Sequence, residues 1–344
     1  MTHPARSFEF ERVLDGEELA VVRAALDGYP GYDMIVSQPV AEGFGAGFLN
    51  RHDVVSHYLR TGGISGRPVN LRELADRTNF FRGTFAYGER VEVSGVEPYL
   101  YSARLREAAA RLYGLPVVEP AMVFVNLMLP GQELGVHADV PEFCGLSRDE
   151  APEWLMVVMH HSGLFERERV PIATAVSWFG DASGGAFFYW PDGPRADPRE
   201  IPTHDNHCVV LDTDSVFHAV APVKWRYESE RPLLEIGVRV VWSAEEQRWI
   251  VTHNQRELMR LTRADVRVSL SWKARCFETE AQRDQVMGAR ARGEGLTLDE
   301  ALTRLRLDLH QRGRLSSPDP GGDPRELIMA LLETYLEFPN SLSD

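Results

Sequence analysis

Hydrophobic and polar positions change their rhythm twice along the chain. Near the start Phe8-Glu9-Phe10 alternates with a period of two, which predicts a short strand. Asp15-Gly16-Glu17-Glu18 then predicts a helix start, with Asp15 as cap, Glu18 as its capping-box partner, and Leu14 and Leu19 stapling the entry. A second helix is expected from Ser102 to Gly114, with Leu105, Ala108, Ala109 and Leu112 as its inner stripe. From residue 121 to about 242 the texture becomes β-rich. The runs are 121–129, 154–159, 171–179, 185–190, 207–212, 216–223 and 232–242. Several are continuously apolar, which suits strands buried on both faces. No long helix separates most of them, so a sandwich or barrel fits better than a parallel sheet. After 243 helical signals return. Thr297-Leu298-Asp299-Glu300 is a capping box leading into Leu302, Leu305 and Leu309 and stopping at Gly313. Asp323-Pro324 starts a last helix with Leu327, Leu331, Leu332 and Tyr335 inward.

These rhythms divide the chain into a mixed helical region at 1–120, a β core at 121–243 and a helical region at 244–344. The expected class is α+β. Composition adds limits. Over 344 residues, 44% apolar and 26% charged side chains exclude a disordered chain, and no run is long enough for a membrane helix. The net charge of -14 disfavours nucleic acid as a partner. Cys144, Cys208 and Cys276 lie far apart, against a disulfide framework or a zinc cluster, and no secretory signal opens the chain. A reducing cytoplasm is the expected compartment. Only Lys224 and Lys273 are lysines among 37 basic residues, a skew expected of a GC-rich bacterial genome.

Chemistry concentrates in the β core. His137-Ala138-Asp139 follows the first long run. A His-x-Asp triplet alone carries little, because a chain with 11 histidines meets one by chance about as often as not. Three features follow it in order. Gly184-Gly185 runs into the aromatic strand ending at Tyr189-Trp190. Asp212-Thr213-Asp214-Ser215 turns into a strand bearing His218. Arg231-Pro232-Leu233 opens the final strand of the core. Two imidazoles and a carboxylate can hold one face of an Fe(II) octahedron and leave the other open. Residues two apart on an extended segment point to one side. An arginine inside a barrel needs an acidic partner, which a dicarboxylate ligand supplies through a bidentate fork.

His137-Ala138-Asp139, His218-Ala219-Val220-Ala221-Pro222-Val223 and Arg231 together resemble the pattern of the Fe(II)/2-oxoglutarate-dependent dioxygenases. The resemblance covers about residues 121–242, with weaker likeness back to the Phe8 strand and the Asp15 helix. It implies a double-stranded β-helix of the jelly-roll, cupin-like kind. It also implies iron on His137, Asp139 and His218, and the far carboxylate of 2-oxoglutarate on Arg231. O₂ would be the oxidant and succinate and CO₂ the co-products. An aspartate at 139 implies hydroxylation rather than halogenation. Arg231 lies thirteen residues after His218, a wider gap than the pattern usually has. Arg226 and Lys224 are its rivals, and the hydroxyl residue often found two positions on is Leu233.

Other residues have two readings each. Asn126 and Met128 share a strand face, and Asn126 could bond the co-substrate or a backbone group. Arg82 and Tyr87 could belong to a lid over the mouth or to a packed loop. Tyr189 and Trp190 read as core or pocket. Glu235 and Arg239 share parity with Arg231 and could contact substrate. His160 or His161 could line a pocket, while His204 and His207 read as surface. The expected activity is oxidation of a C–H bond in a small molecule, amino-acid-derived or a natural-product intermediate. A protein or peptide hydroxylase would need an open groove. A cupin-like metal binder without 2-oxoglutarate chemistry would pair Arg231 with a protein carboxylate such as Glu235. The oligomeric state is left open.

Overall fold

A computed structural model of the protein describes residues 7–36, 51–146, 148, 150–318 and 324–339. Its strands are β1 (Ser7–Phe10), β2 (Tyr32–Met34), β3 (Phe81–Tyr87), β4 (Arg90–Val91), β5 (Val117–Met128), β6 (Leu134–His137), β7 (Glu142–Phe143), β8 (Arg169–Val170), β9 (Ile172–Trp178), β10 (Phe187–Tyr189), β11 (Arg199–Ile201), β12 (Cys208–Leu211), β13 (His218–Val220), β14 (Val238–Ser243), β15 (Arg248–His253), β16 (Arg256–Leu261) and β17 (Arg267–Phe277).

A large antiparallel sheet runs β1-β12-β9-β17-β5-β3-β2-β14-β15-β16, with β4 added to β3. A smaller sheet runs β11-β10-β13-β6. The four strands β12-β9-β17-β5 and the four of the smaller sheet are the two walls of a double-stranded β-helix, as the resemblance implies. Between the walls lie Trp178, Phe187, Tyr189, Val209, Leu211 and Val220, all buried. The outer face of the large sheet packs Val125, Leu127, Leu270 and Trp272 against the helices Gly16–Asp27 and Ala103–Tyr113. The outer side of the smaller sheet is covered by the helices Glu153–Ser162, Leu298–Gln311 and Pro324–Tyr335.

The capping boxes at Asp15 and Thr297 are formed, and the stripe Leu105, Ala108, Ala109, Leu112 is buried. Of the last expected helix start, Asp323 lies outside the described residues. Three expectations are corrected. The run at 154–159 is helical: Glu153–Ser162 is apolar nearly all round because it is wedged between the smaller sheet and the C-terminal helices. The run 232–242 does not carry the last core strand. Its strand, β14, pairs with β2 and β15, outside the barrel. A helical region does not begin at 244, because β15, β16 and β17 follow and the next α-helix starts at Glu280. The barrel closes with β17, so the chain from 224 to 266 is an excursion that widens the large sheet.

Candidate active site

His137 ends β6 and His218 begins β13. Antiparallel pairing sets them directly opposite, with ring centroids 4.1 Å apart. Each ring uses Nδ1 on the backbone carbonyl two residues before it, Gly135 at 2.8 Å and Val216 at 3.0 Å. Nδ1 therefore carries the proton, and the Nε2 lone pair is free to ligate. Asp139 follows β6, anchored by its N–H on the Thr213 carbonyl at 2.8 Å. Its Oδ1 lies 3.9 Å from His137 Nε2 and 3.7 Å from His218 Nε2. One ligand atom from each residue lies within 4.8 Å of the other two.

Electrostatics suits a cation at this point. Burial, then the neighbouring His218, holds the His137 pKa well below the ordinary value, and burial lowers His218 as well. Both rings are neutral ligands near pH 7. Burial alone would raise Asp139, but Lys273, His218 and His137 outweigh it and keep its carboxyl well below the usual range. Lys273 donates to Asp139 Oδ2 at 2.8 Å and to Thr174 Oγ1 at 3.1 Å, leaving Oδ1 for the histidines' side. Two imidazoles and one carboxylate on one face is a donor set that fits a divalent first-row metal such as Fe(II).

The triad opens into a cavity of about 440 Å³ between the two sheets. One wall is the inner face of β17. Its sequence alternates Arg267, Ser269, Ser271 and Lys273 toward the cavity with Val268, Leu270, Trp272 and Ala274 toward the outer core. Arg267 is buried. Its Nε donates to the Gly185 carbonyl at 2.8 Å and its Nη1 to Ser269 Oγ at 3.1 Å. Among the described residues no carboxylate pairs with it, and burial pulls its pKa down to about 9. Gly185 makes this seat possible. Its φ is +70°, and a Cβ there would lie 2.6 Å from Arg267 Cδ.

Arg231 is elsewhere. Its guanidinium pairs with both carboxylate oxygens of Asp76 on the helix Leu71–Thr78, and Asp76 also accepts the Leu234 N–H at 2.7 Å. It does not line the cavity. The expectation of a dicarboxylate on Arg231 is therefore corrected: its charge is already met, and it pins the start of the excursion. Arg226 is likewise engaged by Asp265, and Lys224 lies outside the cavity lining.

Asn126, Met128 and Arg82 line the cavity; Asn126 accepts from Arg82 Nε at 2.9 Å and donates to Ser271 Oγ at 3.2 Å. Tyr87 is exposed, Trp190 is buried in the core behind the smaller sheet, and Arg239 reaches Asp33 and the Pro30 carbonyl at the surface. These three are corrected as pocket residues. Tyr189 is core, Glu235 pairs with Arg72, and His160 bonds Ser215 Oγ at 2.8 Å. His207, expected at the surface, is buried beside Trp178. Sequence reasoning missed Arg267, Ser269 and Lys273, together with Arg51, Arg148 and Glu153 of the cavity wall. The available signal was Arg267-x-Ser269, which supplies the hydroxyl two after the basic residue that Leu233 does not.

No family model matches the sequence, and no curated protein matches it. Solved structures similar to this chain include an oxidoreductase of the 2OG-Fe(II) oxygenase family from Burkholderia pseudomallei. It is 13% identical, with 78% of this chain and 84% of that chain covered and a TM-score of 0.40. The non-heme alpha ketoglutarate dependent carbocyclase SnoK from nogalamycin biosynthesis is 10% identical, over 79% of this chain and 80% of that one, with a TM-score of 0.41. HygX from Streptomyces hygroscopicus, solved with nickel, 2-oxoglutarate and hygromycin B, is 10% identical over 79% of this chain and 83% of that one, with a TM-score of 0.38.

Proposed function

We propose that the protein is a non-haem Fe(II), 2-oxoglutarate-dependent oxygenase that oxidises a C–H bond of a small molecule, most simply by hydroxylation. The observation that carries this reading is one cavity holding both halves of the requirement. At one place stand His137, Asp139 and His218 with their ligand atoms turned together. On the β17 wall stands Arg267, buried and with no carboxylate partner among the described residues. A buried guanidinium without an acid is costly unless an incoming anion meets it.

His137, Asp139 and His218 would hold iron, which when bound couples decarboxylation of 2-oxoglutarate to succinate and CO₂ with oxidation of the substrate by O₂. Arg267 would take the far carboxylate of 2-oxoglutarate, with Ser269 beside it. Gly135 and Val216 carbonyls hold the two rings in register, so the ligand face needs little reorganisation on loading. Lys273 keeps Asp139 ionised and occupies one of its oxygens. Met128, Val176, Phe187 and Val220 bound the cavity on the barrel side and exclude water there. Arg231 does pair with a protein carboxylate, as a cupin-like metal binder would have it, but Arg267 supplies the cation that this alternative lacks.

The test is succinate release from 2-oxoglutarate under air. Release that requires Fe(II) and is abolished in His137→Ala is the expected result. Folded, iron-loaded protein that consumes no 2-oxoglutarate with or without added small molecules would sink the proposal.

A further inference from the structure

The cavity has a second arginine whose charge is not met. Arg82 projects from β3, the strand next to β5 beyond the barrel proper. Its Nε is spent on Asn126 Oδ1 at 2.9 Å, and its guanidinium lies over Phe124 at 4.8 Å and Phe80 at 5.3 Å from the ring centroids. The two rings and Asn126 fix the plane of the group and leave its Nη edge unused. Among the described residues no carboxylate bonds that edge, and burial lowers its pKa to about 10.

Two of the other cations of the cavity are paired with acids. Arg51 is held by Asp53 through two bonds of 3.0 and 2.8 Å, and Lys273 by Asp139. Arg267 faces the co-substrate under the proposed function. A divalent metal and dianionic 2-oxoglutarate cancel one another. Arg267, Arg82 and Arg148 then remain against Glu153, which leaves the cavity with a positive excess, and Arg82 carries part of it away from Arg267. Ile35, Val36, Val54, Val55, Leu74 and Phe80 make an apolar wall in the same cavity lining, and Phe80 lies against Arg82 itself.

We propose that the primary substrate is a monocarboxylate with a largely apolar body, its carboxylate gripped by the Nη edge of Arg82 while the body lies on that apolar wall. This rests on the oxygenase reading and names its substrate class. A planar carboxylate matches two parallel N–H donors, and the apolar residues of the lining suit the body of a monocarboxylate.

The test uses the full chain loaded with Mn(II) and 2-oxoglutarate, so that nothing turns over. The probes are a panel of aliphatic and aryl monocarboxylic acids, each paired with its primary amide, read by thermal shift and calorimetry. Acids that bind and amides that do not are expected from the wild type. Arg82→Met should weaken the acids by about tenfold or more and keep stabilisation by 2-oxoglutarate, with Arg82→Lys in between. Three results overturn the proposal: no acid binds, acid and amide bind alike, or Arg82→Met loses 2-oxoglutarate rather than the acid. The acid–amide comparison in the wild type decides even if Arg82→Met does not fold. Wild type that 2-oxoglutarate itself fails to stabilise would instead break the oxygenase reading.

Discussion

Lys273 is a buried ammonium between two carboxylates. It bonds Asp139 at 2.8 Å and lies 4.0 Å from Asp214, a fully buried acid whose pKa burial raises to about 7. Lys273→Met should therefore destabilise the metal-free protein by about 3 kcal/mol, because it strands a buried charge. Added Mn(II) should recover more melting temperature in the variant than in the wild type, since the metal replaces part of the missing cation. Equal Mn(II) shifts in the two proteins would show that Lys273 does not serve Asp139. Gly185→Ala is a second residue-scale test. Strain at φ +70° and the clash with Arg267 should cost about 1–3 kcal/mol and weaken 2-oxoglutarate binding with it. Tight binding in a destabilised Gly185→Ala would mean that Arg267 is not the anchor. The triad was legible in the sequence because strand spacing turns His137 and Asp139 to one side and a turn brings back His218. The anchor was not. Arg231 has the right neighbours in sequence but is neutralised by Asp76, and nothing in the sequence announces a partner so distant along the chain.

Elements explain why β17 escaped notice. On an ordinary half-buried strand the polar positions face water. On β17 they face the cavity, and the apolar positions face a helix-covered core. Arg267-Val268-Ser269-Leu270-Ser271-Trp272-Lys273 thus has perfect strand alternation with its polar face turned inward. The excursion of β14, β15 and β16 adds the second difficulty, by moving the last barrel strand far from His218. That excursion is packed, not loose. Trp249 is buried against Trp242 and Tyr32. Trp249→Ala should cost about 3–5 kcal/mol in urea unfolding while leaving 2-oxoglutarate affinity unchanged in protein that is still folded. Loss of affinity without loss of stability would assign the excursion to the site. The helix Glu153–Ser162 was misread for a related reason: buried on most sides, it has no polar stripe to reveal a period of 3.6.

At the scale of the whole molecule, the barrel class could be read because β-rich runs of the right length cluster in one stretch of chain. The boundaries could not, since the large sheet recruits β1, β2 and β3 from before the core and β14 to β16 from within the loop that precedes β17. Burial also gives the whole molecule an acid limit. His57, His160 and His161 are held to about 4, 3 and 4, chiefly by burial. Above pH 6.5 all three are neutral folded or unfolded and contribute no slope. Below it the unfolded chain binds protons that the fold refuses. Stability should fall by about 1.4 kcal/mol per pH unit for each ring between pH 6.5 and about 4. Urea midpoints at pH 7.5, 6.5 and 5.0 check this, and a flat profile below 6.5 would contradict it.

The central claim is that one cavity joins the His137, Asp139, His218 triad to an anchor at Arg267 rather than Arg231. The visible charge-transfer band of anaerobic Fe(II) protein titrated with 2-oxoglutarate tests it most directly. The account predicts a band in the wild type, none in His137→Ala, and a large loss of 2-oxoglutarate affinity in Arg267→Met. Arg231→Met should titrate like the wild type, although losing the Asp76 pair lowers its stability. Wild-type affinity in Arg267→Met, or its loss in folded Arg231→Met, would contradict the account.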